Sequence, residues 1–342
     1  MHMKRREFLA LAGASAALGC IHCSSRSELD TIRVCALPFF SMSGLYLAEE
    51  LGYFKDLGLR IEIEKTANSS QAIPLAAAGK VDVVFSGASP SLVNAIARGS
   101  RLRIVAGREI TAPDCCDLNV LYGRREVFPD GIDDIDLIKG RRVGANLRLT
   151  MTDFGTDMIL ENAGTSVEEL GILNMSRSEL VVALVAGKLD AIFISDLGRR
   201  FAAMSDRIVR GLSLADVLPN HILSFISFGA RLLDGNPDIG TRFLTAYLRG
   251  AKDFVGGRTP RFHDELAVSN GMDPAKAREV CRNNLVADGR IDLLSLNLFI
   301  EWAAAKGFCP IPIQADQLVD MRFLQGQGKF RIPNKKAAVL GE

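Results

Sequence analysis

The chain repeats itself. Ala78-Gly79-Lys80-Val81-Asp82-Val83-Val84-Phe85 returns as Ala186-Gly187-Lys188-Leu189-Asp190-Ala191-Ile192-Phe193, 108 residues further on. Upstream, Arg33-Val34-Cys35-Ala36 has its counterpart in Arg142-Val143-Gly144-Ala145. A helix ending Glu49-Glu50-Leu51-Gly52 is matched by one ending Glu161-Asn162-Ala163-Gly164. That period is too long for a solenoid, whose units run about 20–50 residues, and it is close to the length of a domain. A chain of 342 residues therefore reads as two similar lobes rather than one core.

Each copy alternates strand and helix. In the first, residues 32–38 are a short apolar run with β-branched members, and 44–51 carry apolar residues at helical spacing. Residues 59–65 read as a strand and 71–78 as a helix, which Gly79 is placed to stop. Residues 81–85 are nearly all apolar, as expected of a strand covered on both faces of a parallel sheet. Pro90 lies near the start of the next helix, where its missing N–H costs nothing. The second copy follows the same order through 142–145, 153–162, 170–175, 178–186 and 189–194. The fold class expected is α/β: two doubly wound lobes with parallel sheets, helices on both faces and a cleft between them. After the second copy come an extended segment at 222–230 and mostly helical patterns. Asn236-Pro237 and Asp273-Pro274 open two of these, and 293–305 is amphipathic around Trp302, the only tryptophan. Returned to the first lobe, they make it discontinuous: residues 31–122 plus 226–342 form lobe 1 and residues 123–225 lobe 2. The linkers fall near 122–126 and 223–228.

Residues 1–20 read as an export leader. Lys4-Arg5-Arg6-Glu7-Phe8-Leu9 is a twin-arginine pattern. The apolar run behind it is about ten residues, short of the ~20 that span a bilayer and suited to a signal sequence. Ala17-Leu18-Gly19-Cys20 resembles a lipobox, in which Cys20 would receive lipid, with Ala17 where a large aliphatic residue is usual. The plainer reading is a leader cleaved after small residues. Either way, 1–20 stand outside the fold, and the polar, Ser-rich residues 21–30 are a tether. The expected localisation is the outer face of the cytoplasmic membrane, held there through the N-terminal lipid.

Charge and cysteines narrow the function. Lys+Arg at 41 against Asp+Glu at 40 leaves a net charge of +1, and no basic block stands out as a nucleic-acid surface. Of the 7 cysteines, Cys115-Cys116 is a vicinal pair that closes on itself only under strain. Only His221 and His263 remain beyond the leader and tether, and no C-x-x-C is partnered by histidines there. No metal, cofactor or catalytic-cysteine site is expected.

One stretch carries a resemblance. Leu47-Ala48-Glu49-Glu50-Leu51-Gly52-Tyr53-Phe54-Lys55-Asp56-Leu57-Gly58-Leu59 resembles the L-A-x-E-x-G-Y-F-K-x-x-G-L signature of ABC-importer solute-binding proteins for nitrate, sulfonates, taurine and thiamine-pyrimidine precursors. Residues 76–86, the run from Ala97 to Ala106 and Lys139-Gly140-Arg141-Arg142-Val143-Gly144 fit the same superfamily, so the likeness spans roughly residues 32–250. It implies a type II periplasmic binding protein fold, capture of a small molecule between the lobes, delivery to an ABC permease, and no catalysis. A monomer is expected. Two rivals stand beside it: a pyrimidine-precursor biosynthetic enzyme of the same fold, and a sensory binding protein docking on a receptor. The leader and the absence of paired carboxylates placed for acid–base work count against the enzyme.

Ligands of open α/β sheets sit outside the carboxyl ends of the strands. In the first lobe that rule selects Phe39, Phe40, Ser41 and Met42, then Ser69 and Ser70, then Ser86, Gly87 and Ser89. In the second it selects Asn146, Arg148, Thr150 and Thr152, then Ser195 and Asp196. Ser69, Ser89 and Thr152 each precede a helix, where a hydroxyl caps an N–H with no ligand present. Together, helix N-termini converging on a cleft favour a carboxylate, sulfonate or phosphate. Arg148 is either a charge-assisted contact to such a group or a solvated arginine. Of Phe39 and Phe40, adjacent on a strand, one faces the core and the other the cleft. Met42 and Phe225 are placed on the same wall, Phe225 having a core reading as well. The ligand implied is organic, flat or partly apolar, with one acidic or strongly polar end.

Overall fold

Strands form where apolar and β-branched residues run together, and helices where apolar residues recur every three or four positions. The computed structural model describes residues 29–36, 40–65, 69–112, 119–147, 151–194, 206–269, 274–275, 282 and 284–327. In chain order these include β1 (Asp30–Ala36), a 3-10 turn (Phe40–Met42), α1 (Ser43–Glu50), α2 (Tyr53–Asp56), β2 (Leu59–Lys65), α3 (Ser69–Ala77), β3 (Val83–Gly87), α4 (Pro90–Ala97) and β4 (Leu102–Ile110). Next come β5 (Val120–Arg124), β6 (Val143–Ala145), α5 (Met151–Asn162), β7 (Leu173–Asn174), α6 (Arg177–Val185), β8 (Ala191–Ile194), β9 (Ile208–Ser213), α7 (Leu214–Val217) and β10 (Ile222–Gly229). The remainder is helical: α8 (Pro237–Val255), α9 (Phe262–Ser269), α10 (Leu293–Ala305), α11 (Ala315–Leu318) and α12 (Arg322–Gln325).

The strands make two five-stranded sheets, ordered β2-β1-β3-β10-β4 and β7-β6-β8-β5-β9. The sheets are mixed, not purely parallel. β10 runs antiparallel to both β3 and β4, and β5 antiparallel to both β8 and β9. The reason is directional. A chain crossing between lobes arrives at the carboxyl edge of the new sheet, so its first strand there must run away from that edge.

The crossings precede the segments expected as linkers. The chain leaves the first sheet after Ile110, enters the second at Val120, leaves it after Ser213 and returns at Ile222. Tyr122 lies within β5 and residues 223–228 within β10, both buried. Extended apolar segments belong in a sheet, and the two crossings are bonded to one another at their described ends. Thr111 N–H donates to His221 O at 2.9 Å, Asn220 N–H to Thr111 O at 3.1 Å and Leu214 N–H to Asn119 O at 2.8 Å.

The C-terminal helices cover the first sheet. α8 buries Ile239, Phe243, Leu244, Tyr247 and Ala251 and lies so close to α1 that a Cβ on Gly250 would stand 2.3 Å from Gly44 O. Only glycine admits that approach. On the opposite face, Leu296, Phe299 and Trp302 of α10 share a core with Val84, Leu92 and Phe225, and Phe154 of α5 joins them. No helix among the described residues is long and apolar enough to cross a membrane.

Candidate functional site

The strand orders fix where a ligand can sit. In the first sheet the connections diverge between β1 and β3, in the second between β6 and β8, and the crevice at such a point is the binding position of open α/β sheets. The lobes touch at the carboxyl end of β3: a Cβ on Gly87 would fall 2.6 Å from Cγ of Met151, the first residue of α5. The two edges therefore meet.

The predicted residues separate into three groups. Phe39, Arg148, Thr150, Ser195, Asp196 and the anchor candidate Cys20 lie outside the described residues, as do the side chains of Phe40, Ser69 and Ser70. A second group lies at or near the carboxyl ends of β1, β3 and β6 or at the start of α5. Ser41 is half-buried, and its carbonyl accepts from Arg108 Nη1 at 3.2 Å. Ser86 is 2% exposed, and its Oγ is buried without a hydrogen-bond partner. Asn146 follows β6, with Oδ1 likewise buried and unpartnered. Ser89 caps α4, accepting from Leu92 N–H at 3.3 Å, with Pro90 at the first helical position. Thr152 is the second residue of α5, so it does not precede that helix; its carbonyl accepts from Asn119 Nδ2 at 3.1 Å and from Thr156 Oγ1 at 2.7 Å.

The third group is corrected. Met42 is 1% exposed and packs in the core between the first sheet and α8. Phe225, 0% exposed, sits in the interior strand β10 opposite Ser86. Both side chains are packed into the core instead of being left at the carboxyl edge.

Other groups at the site went unread in the sequence. Arg108 and Glu109, next to the last residue of β4, form a buried ion pair at 2.5 Å. The Arg108 guanidinium also donates to Ser224 Oγ, and its Nε stays unpartnered. It thus runs beneath the β1–α1 turn, tying that turn to β4 and β10. Tyr247 of α8 is buried beside the pair. Burial pushes its phenol well above the usual range, Arg108 opposing and Glu109 reinforcing the shift. The legible signal was two adjacent charges of opposite sign just behind the apolar run of residues 104–106.

Ser43 at the start of α1 shares a hydrogen bond with His263 Nε2 of α9 at 2.5 Å. A serine beside a histidine is the beginning of a nucleophile–base arrangement. Both are 0% exposed, which closes them to any substrate and makes the pair a clasp between α1 and α9. Among the described residues no group of His, Cys, Asp and Glu is placed to hold a metal ion.

Residues 40–256 match the family described as NMT1/THI5 like, which is more than half of the chain. The chain belongs to the NMT1/THI5 like family. Comparison with curated protein sequences gives no match. Among solved structures, the periplasmic aliphatic sulphonate binding protein SsuA from Escherichia coli superposes with a TM-score of 0.67 at 15% identity, covering 85% of this chain and 92% of that one. The alkanesulfonate-binding protein SsuA from Xanthomonas axonopodis pv. citri, bound to MOPS, gives 0.64 at 15% identity over 86% and 98%. The periplasmic nitrate-binding protein NrtA from Synechocystis PCC 6803 gives 0.63 at 11% identity over 90% of each chain. This member of the NMT1/THI5 like family has the type II periplasmic binding protein fold, with two similar α/β lobes.

Proposed function

We propose that this chain is the extracytoplasmic solute-binding component of an ABC importer, which captures a small organic molecule between its lobes and hands it to the permease without altering it. The observation that carries this reading is the meeting of the two carboxyl edges at Gly87 and Met151, with Ser86, Ser89 and Asn146 beside them. The sulfonate- and nitrate-binding proteins of the same fold support it. Closure follows if the solute binds the closed form better than the open one, since equal affinity shifts nothing.

The solute is an organic molecule with a flat or apolar body and one acidic or strongly polar end. Phe39 or Phe40 stacks on the body, while Ser41, Ser69, Ser70, Asn146, Arg148, Thr150, Thr152, Ser195 and Asp196 orient the polar end. With Met42 and Phe225 in the core, the apolar wall rests on the two phenylalanines. Residues 1–20 direct export, and Cys20 carries the lipid that keeps the protein beside its permease.

Mass spectrometry of small molecules released from the purified chain, followed by calorimetry against alkanesulfonates including MOPS and against nitrate, tests the solute. Replacing the stacking phenylalanine by Ala should cost about 1–3 kcal/mol of affinity through lost burial. Tight binding of nitrate, indifferent to either phenylalanine, would overturn the apolar body. For the anchor, Cys20→Ala should move the protein from the membrane fraction to the soluble exported one.

A further inference from the structure

Helix α5 belongs to the second lobe in sequence order, yet one side of it is built into the first. Met151 at its start lies against Gly87. One turn on, the Phe154 ring is 0% exposed, with centroid distances of 5.5 Å to Phe299 and 5.4 Å to Trp302 of α10. One turn further, Asp157 Oδ2 accepts from the Trp302 indole N–H at 2.8 Å and stands 2.7 Å from Lys306 Nζ. Asp157 is 5% exposed. Residues three apart lie on one side of a helix, so the cleft contact, the aromatic contact and the charged contact run down a single edge of α5.

We propose that α5 couples the cleft to a latch between the lobes, with Asp157 as the positioning residue and Trp302 as its partner on the first lobe. A continuous helix moves as a unit, and Met151 and Asp157 are about 9 Å apart along its axis. Any group that pushes Met151 off Gly87 therefore draws Asp157 away from Trp302 and Lys306. A carboxylate this deeply buried is held there by its two donors, and separating them is strongly unfavourable. The latch thus opposes displacement of α5, and what occupies the cleft shifts the balance. That consequence rests on the solute lying at the carboxyl edges; the coupling itself does not.

The test needs no solute. Because Trp302 is the only tryptophan, its emission reports the latch without interference. The mature chain would be compared as wild type, Gly87→Val, the double variant Gly87→Val/Met151→Ala, and Asp157→Ala, by tryptophan emission and small-angle scattering. Gly87→Val forces Met151 away and should shift the emission to longer wavelength and enlarge the radius of gyration. Met151→Ala in the same chain makes room for the valine and should return both to wild type. Asp157→Ala should shift the emission with the cleft residues untouched. A folded Gly87→Val chain, with wild-type circular dichroism and a cooperative melt, whose emission and radius are unchanged would overturn the coupling. So would a double variant that fails to recover. If Gly87→Val does not fold, Met151→Phe enlarges the same contact from the α5 side and carries the same two outcomes. A chain that binds no solute yet shows the coupling sinks the importer reading and leaves this one standing.

Discussion

In the first lobe, Asp82 accepts from the Arg33 backbone N–H at 2.9 Å and from Arg231 Nη1 at 3.0 Å. In the second, Asp190 accepts from the Arg142 backbone N–H at 3.0 Å and from the same residue's side chain at 3.1 and 2.6 Å. In both, the aspartate's own N–H returns a bond to the arginine carbonyl at 2.8 Å. The duplicated Arg and Asp are thus one clasp used twice, joining the foot of the third strand to the foot of the first. Its lysine-preceding glycine has φ of 69° in one copy and 71° in the other, Gly79 and Gly187, a conformation that excludes most other residues. Each aspartate also meets a second arginine. Arg231, just after β10, lies 3.0 Å from Asp82, so the first clasp also fastens the returning chain. Arg124, the last residue of β5, stands 3.8 Å from Asp190, a looser contact made within the second lobe. The first lobe depends on distant sequence, and the second is local.

The largest expected effect breaks that contrast at α5, the place where the second lobe stops being local. Phe154→Ala should destabilise the protein by about 3–5 kcal/mol, the usual range for a fully buried aromatic. Because its ring packs on Phe299 and Trp302, the loss should be felt by both lobes. Unfolding followed by Trp302 emission and by far-ultraviolet circular dichroism should move together. A shift seen in circular dichroism alone would mean that the lobes unfold separately.

The clasps themselves come next. Asp82→Ala strands the Arg33 N–H and releases Arg231, and should cost about 3 kcal/mol. Asp190→Ala should cost less, because the Asp190 side chain is less deeply buried than that of Asp82, 11% exposed against 2%, and its second arginine stands farther off, at 3.8 Å against 3.0 Å. Denaturant midpoints of the two variants rank them directly. Equal losses would show that Arg231 adds no more to its clasp than Arg124 does to the other.

The clasp was legible as a repeat before it was legible as chemistry. The duplication marked Arg33 with Asp82 and Arg142 with Asp190, and alternating apolar runs placed β1, β2, β3, β6 and β8 within about two residues. What the sequence hid was three strands, β4, β5 and β9, together with direction and depth. Nothing in the run Ile222–Gly229 tells a strand inside a sheet from a linker beside it, because both are extended and apolar. The same ambiguity put Phe225 on a binding wall, and Met42 was put there as a residue just past β1. Arg108 and Asp157 were missed for a related reason: a charge inside an apolar pattern looks like an interruption until its partner, far away in sequence, is known.

Acid should sharpen the comparison. The Arg142 side chain bonded to Asp190 holds that carboxyl below its usual value, against a smaller opposing effect of burial. A carboxylate depressed in the folded state contributes stability that is complete above the unfolded value, near 3.9. It is lost as the pH falls through the lower, folded value. Unfolding free energy measured from pH 6 downward should therefore fall less steeply in Asp190→Asn than in wild type once the pH drops below about 4. Parallel curves would remove the clasp from the acid response.

The smallest effect separates a cap from a contact. Ser89 and Ser176 both cap helices, Ser89 accepting from Leu92 N–H at 3.3 Å and Ser176 from Glu179 N–H at 3.4 Å. The helices begin at different places: α4 at the carboxyl edge of the first sheet, next to Gly87, and α6 after the exposed edge strand β7. Replacing either serine by Ala should cost about 0.5–1 kcal/mol, since an N-terminal N–H loses its acceptor. Stability alone cannot tell them apart. Aspartate can, because it caps as well as serine and adds a negative charge. Ser89→Asp and Ser176→Asp should both melt within a degree or two of wild type. Binding of an acidic solute, MOPS serving as the probe if calorimetry detects it with the wild-type protein, should weaken only in Ser89→Asp, and the weakening should shrink as salt rises. Unchanged affinity in Ser89→Asp would confine that hydroxyl to its helix and remove it from the cleft.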